Sequence, residues 1–137
     1  MFKLMMVPVD LQHIEPLSKA LGVAAGMAKL YNIPVCYVGV ANEQPSSIAH
    51  NPAEYEKKLQ AFAASQAAEH GLSADSRTFV GHDLVADVDD VLLKAVATVG
   101  ADLVVMASHV PTIIDYVWPS NGGKIAAHSN ASVFVVR

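Results

Sequence analysis

Asp10 ends the apolar opening "MFKLMMVPVD". A carboxylate in that place can accept a ribose hydroxyl or hold a metal ion such as Mg²⁺, provided that the run before it is a strand of an open α/β sheet. The plainer reading makes it the cap of the next turn. Near the other end, Ser120-Asn121-Gly122-Gly123 has the makings of an anion site. Free N–H groups at a helix start attract phosphate, and glycine lets it approach the backbone. Ser and Asn are also ordinary N-caps, so the same four residues fit a helix start and nothing more. Lys124 could add charge to a phosphate or simply be solvated.

Other candidates carry less. Ser108-His109 has the residue types of a nucleophile and its base, but neighbours on extended chain point to opposite sides and do not form a dyad. His13, His50, His70, His82, His109 and His128 show no metal-ligand spacing, and the single Cys36 adds no zinc motif. Cys36 reads as a buried strand residue. Asp87, Asp89 and Asp90 suit the first turn of a helix, where the dipole favours acids, and so need no metal. On these grounds no catalytic constellation and no dedicated metal site is expected.

These residues need a scaffold, and the hydrophobic period supplies one. Phe2–Val9 is a β-rich run. From Glu15, Leu17, Ala20, Leu21, Ala24, Ala28 and Tyr31 recur at helical spacing, with Asn32 as the terminator. Pro34–Val40 reads as a second strand. Tyr55, Leu59, Phe62, Ala63 and Ala67 mark a second helix that stops at Gly71. Ser76–Val80 alternates as a third strand. Asp83 is a plausible N-cap for a third helix bearing Val88, Val91, Leu92, Ala95 and Val99, ended by Gly100. "ADLVVMA", a short helix over Gly122–Ser129 and Ser132–Arg137 complete the pattern. Strands alternating with helices predict an open five-stranded parallel sheet with helices on both faces, Rossmann-like, in one domain over residues 1–137. Ligands of such sheets bind beyond the carboxyl ends of the strands, where strand order reverses.

Composition narrows the function. The chain has 137 residues, a net charge of −4, and nine basic residues scattered among thirteen acidic ones. Phosphate-based nucleic-acid binding, which needs clustered Lys and Arg, is not expected. No apolar run reaches the roughly 18 residues of a membrane span. The opening run is read as a strand and not a signal peptide, and one cysteine fits a cytoplasmic protein. Where a dinucleotide-binding domain needs G-x-G-x-x-G after the first strand, the chain reads "VPVDLQHIEP". There is no G-x-x-x-x-G-K-[ST]; a receiver domain would need an acidic pair after strand one and a last helix after strand five, where only Asp10 and no further helix are expected.

"MMVPVD", "GHDLVADVDDVLLKAV" before "ADLVVMASH", and the closing "VFVVR" resemble the universal stress protein family in the right order over the whole length. The stretch "ASHVPTIIDYVWPSNGGKIAAHSNASVFVVR" resembles a bacterial subgroup ending with A-S-H-x-P, then G-S-N, a His-bearing helix and S-V-L-V-V-R. The resemblance implies a strand order of 3-2-1-4-5 and a cytosolic, dimeric stress-response module. It would bind ATP or another adenine nucleotide, with or without Mg²⁺. It would have no nucleic-acid partner, no membrane insertion and no protein partner that the sequence can name. The alternative is a family member that binds no nucleotide and acts only through dimeric contacts.

By the same resemblance, the ribose carboxylate falls on Asp10 after Pro8-Val9, and the backbone group that holds adenine falls on Val38. The phosphate loop, of family form G-x-x-G-x9-G-[ST], falls on Met106, Ala107, Ser108, His109, Val110, Ser120, Asn121 and Gly122. The loop departs from that form: Ala107, Val110 and Pro119 stand in for its three glycines, and Pro119 offers no N–H. Strand five is expected at the sheet edge. An apolar edge there calls for a cover, so Val133, Phe134, Val135 and Val136 are the expected homodimer interface, with Ile113, Ile114 and Trp118 as an extension.

Overall fold

The computed structural model describes residues 1–46, 48–81, 84–108 and 121–137, the last including the backbone but not the side chains of 121 and 122; the side chains of 84–89 are likewise outside the description. Five strands pair in the order β3-β2-β1-β4-β5, all parallel. They are β1 (Met5–Pro8), β2 (Val35–Asn42), β3 (Ala74–Gly81), β4 (Leu103–Ala107) and β5 (Ser132–Val136). Between them run α1 (Ser18–Tyr31), preceded by the 3-10 turn Glu15–Leu17, then α2 (Pro52–His70), α3 (Leu84–Val99) and α4 (Asn121–His128). Right-handed crossovers put α1 and α2 on one face and α3 and α4 on the other. Accordingly α1 packs on β1, β4 and β5, α2 on β2 and β3, and α3 on β1–β3 and against α4.

The helices end where the chain can turn left-handed. Asn32 (φ 53°), Gly71 (φ 65°) and Gly100 (φ 78°) follow α1, α2 and α3, and their amides return to carbonyls of the last turns. At the start of α2, Asn51 accepts the Glu54 amide at 2.8 Å, and Pro52 takes the first turn, where no donor is needed. That cap draws the helix start into a segment whose polar composition reads as loop. The sheet is buried on both faces: β1, β4 and most of β2 are inaccessible along their length. Leu59 of α2, Leu92 of α3 and Ile125 of α4 are fully buried against it, each contributing about 1.5–3 kcal/mol on transfer from water.

Asp102 ties the amino ends together. Its carboxylate accepts the Lys3 amide (2.9 and 3.1 Å) and the Leu4 amide (3.1 Å), and its carbonyl accepts the Ser132 amide at 3.0 Å.

The two sheet edges differ. The Val35 amide bonds the Ser73 carbonyl at 2.9 Å, so odd residues of β3 face β2 and even ones face outward. The outward Ser76 amide is taken by the Asp75 carboxylate at 2.8 Å, beside an exposed Arg77; this edge is blunted by charge. On β5, the Ser132 amide to the Asp102 carbonyl and the Ser108 amide to the Val136 carbonyl (2.7 Å) turn 132, 134 and 136 toward β4. Val133 and Val135 therefore direct their backbone groups outward. Phe134 and Val135 are 45% and 42% exposed.

Candidate functional site

The strands do not stay paired to a common height. β1 pairs β4 only at Met5↔Leu103 and Met6↔Val104, whereas β4 stays with β5 as far as Ala107↔Val136. The sheet therefore splits between β1 and β4, at the point where strand order reverses, and opens a crevice toward the carboxyl ends. Pro8 and Val9 line one side and are buried; Met106 and Ala107 on the other side are buried too.

Asp10 stands at the lip. Its Oδ1 accepts the Gln12 amide at 3.0 Å, its Oδ2 meets His13 Nδ1 at 2.9 Å, and its carbonyl accepts the His13 amide at 3.0 Å. The side chain keeps 18% of its surface. The bonds observed are those of the cap reading. The residue closes an Asx turn, and two of about four lone-pair sites of the carboxylate are left over for a ligand.

Val38 sits deeper than the adenine role requires. It is fully buried opposite Pro8, and its carbonyl already accepts the Val9 amide at 2.8 Å. β2 does not end there but runs on to Asn42, paired with β3 alone. Alternate residues of a parallel strand turn their backbone groups to the same neighbour, so the next group facing the β1 side is that of Val40, beyond the last β1–β2 pair. Backbone readout of a base fits Val40 better than Val38.

Ser108 donates its amide to Val136, so that N–H is committed to the sheet. His109, Val110, Pro119 and Ser120, with Ile113, Ile114 and Trp118, lie outside the described residues, as do Asp83 and the side chains of Asp87 and Asp89. Asn121 and Gly122 open α4, and Gly123 follows with nothing within 4 Å of a Cβ built on it. Lys124 pairs with Asp90 of α3 at 3.1 Å. Cys36 is buried, and burial pushes its thiol up to about 11, so it is no thiolate at neutral pH. Among the described residues no three His, Cys, Asp or Glu converge as a metal set, and no helix is long and apolar enough to cross a membrane. A groove of about 350 Å³ between the ends of α1 and α2 opens at Asn32, Pro34 and Gly71, the opposite end of the sheet from Asp10.

Two residues that the sequence pattern does not bring forward meet on β2. Tyr55 of α2 lies across Gly39 of β2 so closely that a Cβ on Gly39 would meet the phenol oxygen at 2.5 Å and Cε1 at 2.7 Å. Burial first, then the Asp10 charge, raise the phenol well above its ordinary value, while the Leu11 amide at the same oxygen opposes them. The phenol is therefore neutral at any physiological pH. Gly39 inside an apolar strand is the sequence mark of such a close approach, but it does not say which residue approaches.

The chain is thus an open α/β sheet that parts between β1 and β4, with no glycine-rich dinucleotide turn after β1. The model of the universal stress protein family matches residues 1–137, and the chain belongs to that family. A universal stress protein from Archaeoglobus fulgidus superposes with a TM-score of 0.70 at 18% identity, each chain covered in full. The universal stress protein from Archaeoglobus fulgidus in complex with dAMP gives 0.67 at 18% identity, covering 98% of both chains. An Arabidopsis thaliana universal stress protein family protein with AMP bound gives 0.63 at 15% identity, covering 98% of this chain and 90% of that one. At these identities the likeness is one of fold.

Proposed function

We propose that this protein is a cytoplasmic stress-response module that binds ATP or another adenine nucleotide at the carboxyl ends of β1, β2 and β4, and that it acts as a homodimer without catalysing a reaction. The observation that carries this reading is the crevice opened beyond Met6↔Val104, with the Asp10 carboxylate fixed at its lip and lone pairs to spare. Relatives of the same fold hold dAMP and AMP. In this reading Asp10 takes ribose hydroxyls, the β2 backbone past Val38 takes the base, and the segment from Ser108 to Gly122 surrounds the phosphates, with Mg²⁺ as a companion of the triphosphate. The dimer rests on the unequal edges: β3 is guarded by Asp75, while β5 offers Val133 and Val135 unguarded beside an exposed Phe134.

The alternative, a dimeric interaction protein that binds no nucleotide, draws on the committed Ser108 amide and on Ala107, Val110 and Pro119 in place of glycines. Calorimetric titration with ATP, ADP and AMP, with and without Mg²⁺, separates the two. Heat and saturation with any of them support the first reading, and none at millimolar ligand leaves the second.

A further inference from the structure

His13 meets Asp10 directly. Its Nδ1 lies 2.9 Å from Asp10 Oδ2, and its own amide bonds the Asp10 carbonyl at 3.0 Å, so ring and carboxylate are held on one turn. The Gln12 amide holds the other oxygen, Oδ1, at 3.0 Å. The two anchors do different things. A bond to one oxygen alone leaves the plane of a carboxylate loosely set, because its last torsion joins an sp³ to an sp² carbon and is broad. A bond to the second oxygen fixes that plane. A carboxylate only accepts, so the proton of the 2.9 Å bond is on Nδ1. Of about four lone-pair sites, one on each oxygen is then used and one on each is left. Both side chains keep part of their surface, 24% for His13 and 18% for Asp10, so water or a ligand reaches the pair.

We propose that His13 is a positioning residue whose Nδ1–H fixes the plane of the Asp10 carboxylate, so that one lone pair of each oxygen is presented to the two vicinal hydroxyls of a ribonucleotide. This inference rests on the nucleotide reading and deepens it, since it names the group that makes the site prefer a vicinal diol over a deoxygenated sugar. The Gln12 bond alone closes the Asx turn, so the turn is not what the imidazole adds. Hydrogen bonds weaken steeply as they bend, and two hydroxyls on adjacent carbons need both oxygens oriented at once. Contacts to the base and the phosphates do not depend on that plane.

The test titrates ATP and 2′,3′-dideoxy-ATP, without Mg²⁺, by calorimetry into the wild type, His13→Leu and His13→Asn. Asn carries an NH2 group as many bonds from its Cα as Nδ1 is in histidine, so it keeps the donor and loses the ring; Leu keeps bulk and loses the donor. In His13→Leu, ATP affinity should fall about fivefold, less than deletion of a whole charged hydrogen bond, while dideoxy-ATP affinity stays put. His13→Asn should restore most of the difference. On an Asp10→Ala background His13→Leu should add nothing. Nitrogen NMR of the free wild type should find the neutral ring protonated at Nδ1. A purely structural histidine would lower both affinities alike or neither. An unchanged ratio of the two in His13→Leu, equal losses in His13→Leu and His13→Asn, a further loss on the Asp10→Ala background, or a proton on Nε2 each overturns the proposal while the nucleotide reading stands. A wild type that binds both without distinguishing them overturns the proposal together with the ribose role of Asp10, and one that binds neither overturns the nucleotide reading as well.

Discussion

Asp10 can be separated into its two roles by a pair of substitutions. Asp10→Asn retains Oδ1 for the Gln12 amide and replaces Oδ2 by an NH2 group facing His13 Nδ1, a ring nitrogen that can accept in its other tautomer. The Asx turn survives, and stability should move by no more than about 0.5 kcal/mol. The charge does not survive. If the two remaining lone-pair sites take ribose hydroxyls, a charge-assisted hydrogen bond becomes a neutral one. Charged hydrogen bonds are worth about 1.5–3 kcal/mol, so adenosine and AMP should weaken about tenfold, with about a hundredfold as the upper bound. Asp10→Ala removes the turn contact as well, adding a stability loss of about 1 kcal/mol. Isothermal calorimetry gives the affinities and urea titration the stabilities. A stability loss in Asp10→Ala with unchanged adenosine and AMP affinity in both variants would reduce the residue to a cap. An effect confined to ATP with Mg²⁺ would move its role from ribose to metal.

Three further perturbations test separate parts of the molecule. Pro119→Gly restores an amide to the loop and should tighten ATP binding, and Ser120→Ala should loosen it; indifference to both removes this segment as the phosphate site. Val135→Pro deletes an outward amide of the β5 edge, so a dimer seen by sedimentation velocity should become a monomer. A wild type that sediments as a monomer at micromolar concentration ends the dimer. For Asp102, burial is the largest single influence and pushes the carboxyl up, but the Leu4, Lys3 and Asp102 amides and the Lys3 charge together outweigh it and hold the group below its ordinary value. A depressed carboxylate contributes stability that is present above its unfolded pKa, about 3.9, and is lost as pH falls through the folded value. Asp102→Asn should therefore cost about 1 kcal/mol or less at pH 7, given its exposure to solvent, and almost nothing in strong acid. A gap between the urea curves that is the same at both pH values would refute the charge argument.

Much of the fold is written in local periodicity because a parallel sheet covered on both faces leaves a simple record. The continuous apolar runs of β1, β4 and β5 stand out, and Asn32, Gly71 and Gly100 each mark a left-handed helix end. The strand order does not come from periodicity; it comes from the family resemblance, and the pairing agrees. The sequence falls short at polar ends. β2 and β3 continue to Asn42 and Gly81 as a ladder of two, and α2 starts at Pro52 behind its Asn51 cap. Backbone pairing carries these extensions, and the hydrophobic pattern has already stopped.

The same limit governs the site. Asp10 is legible because an acid after an apolar strand has a place in any open α/β sheet. The choice between Val38 and Val40 depends on where β1 lets go of β2, a matter of register between distant segments that a one-dimensional pattern does not hold. Placing a backbone group at the mouth takes the Pro8↔Val38 pair and the committed Val38 carbonyl. Tyr55 is hidden for a different reason. In the sequence it is one more apolar position on the inner stripe of α2, in step with Leu59 and Phe62. Gly39 looks like a weak spot in a strand. Only their apposition shows that the ring needs a residue without a side chain beneath it.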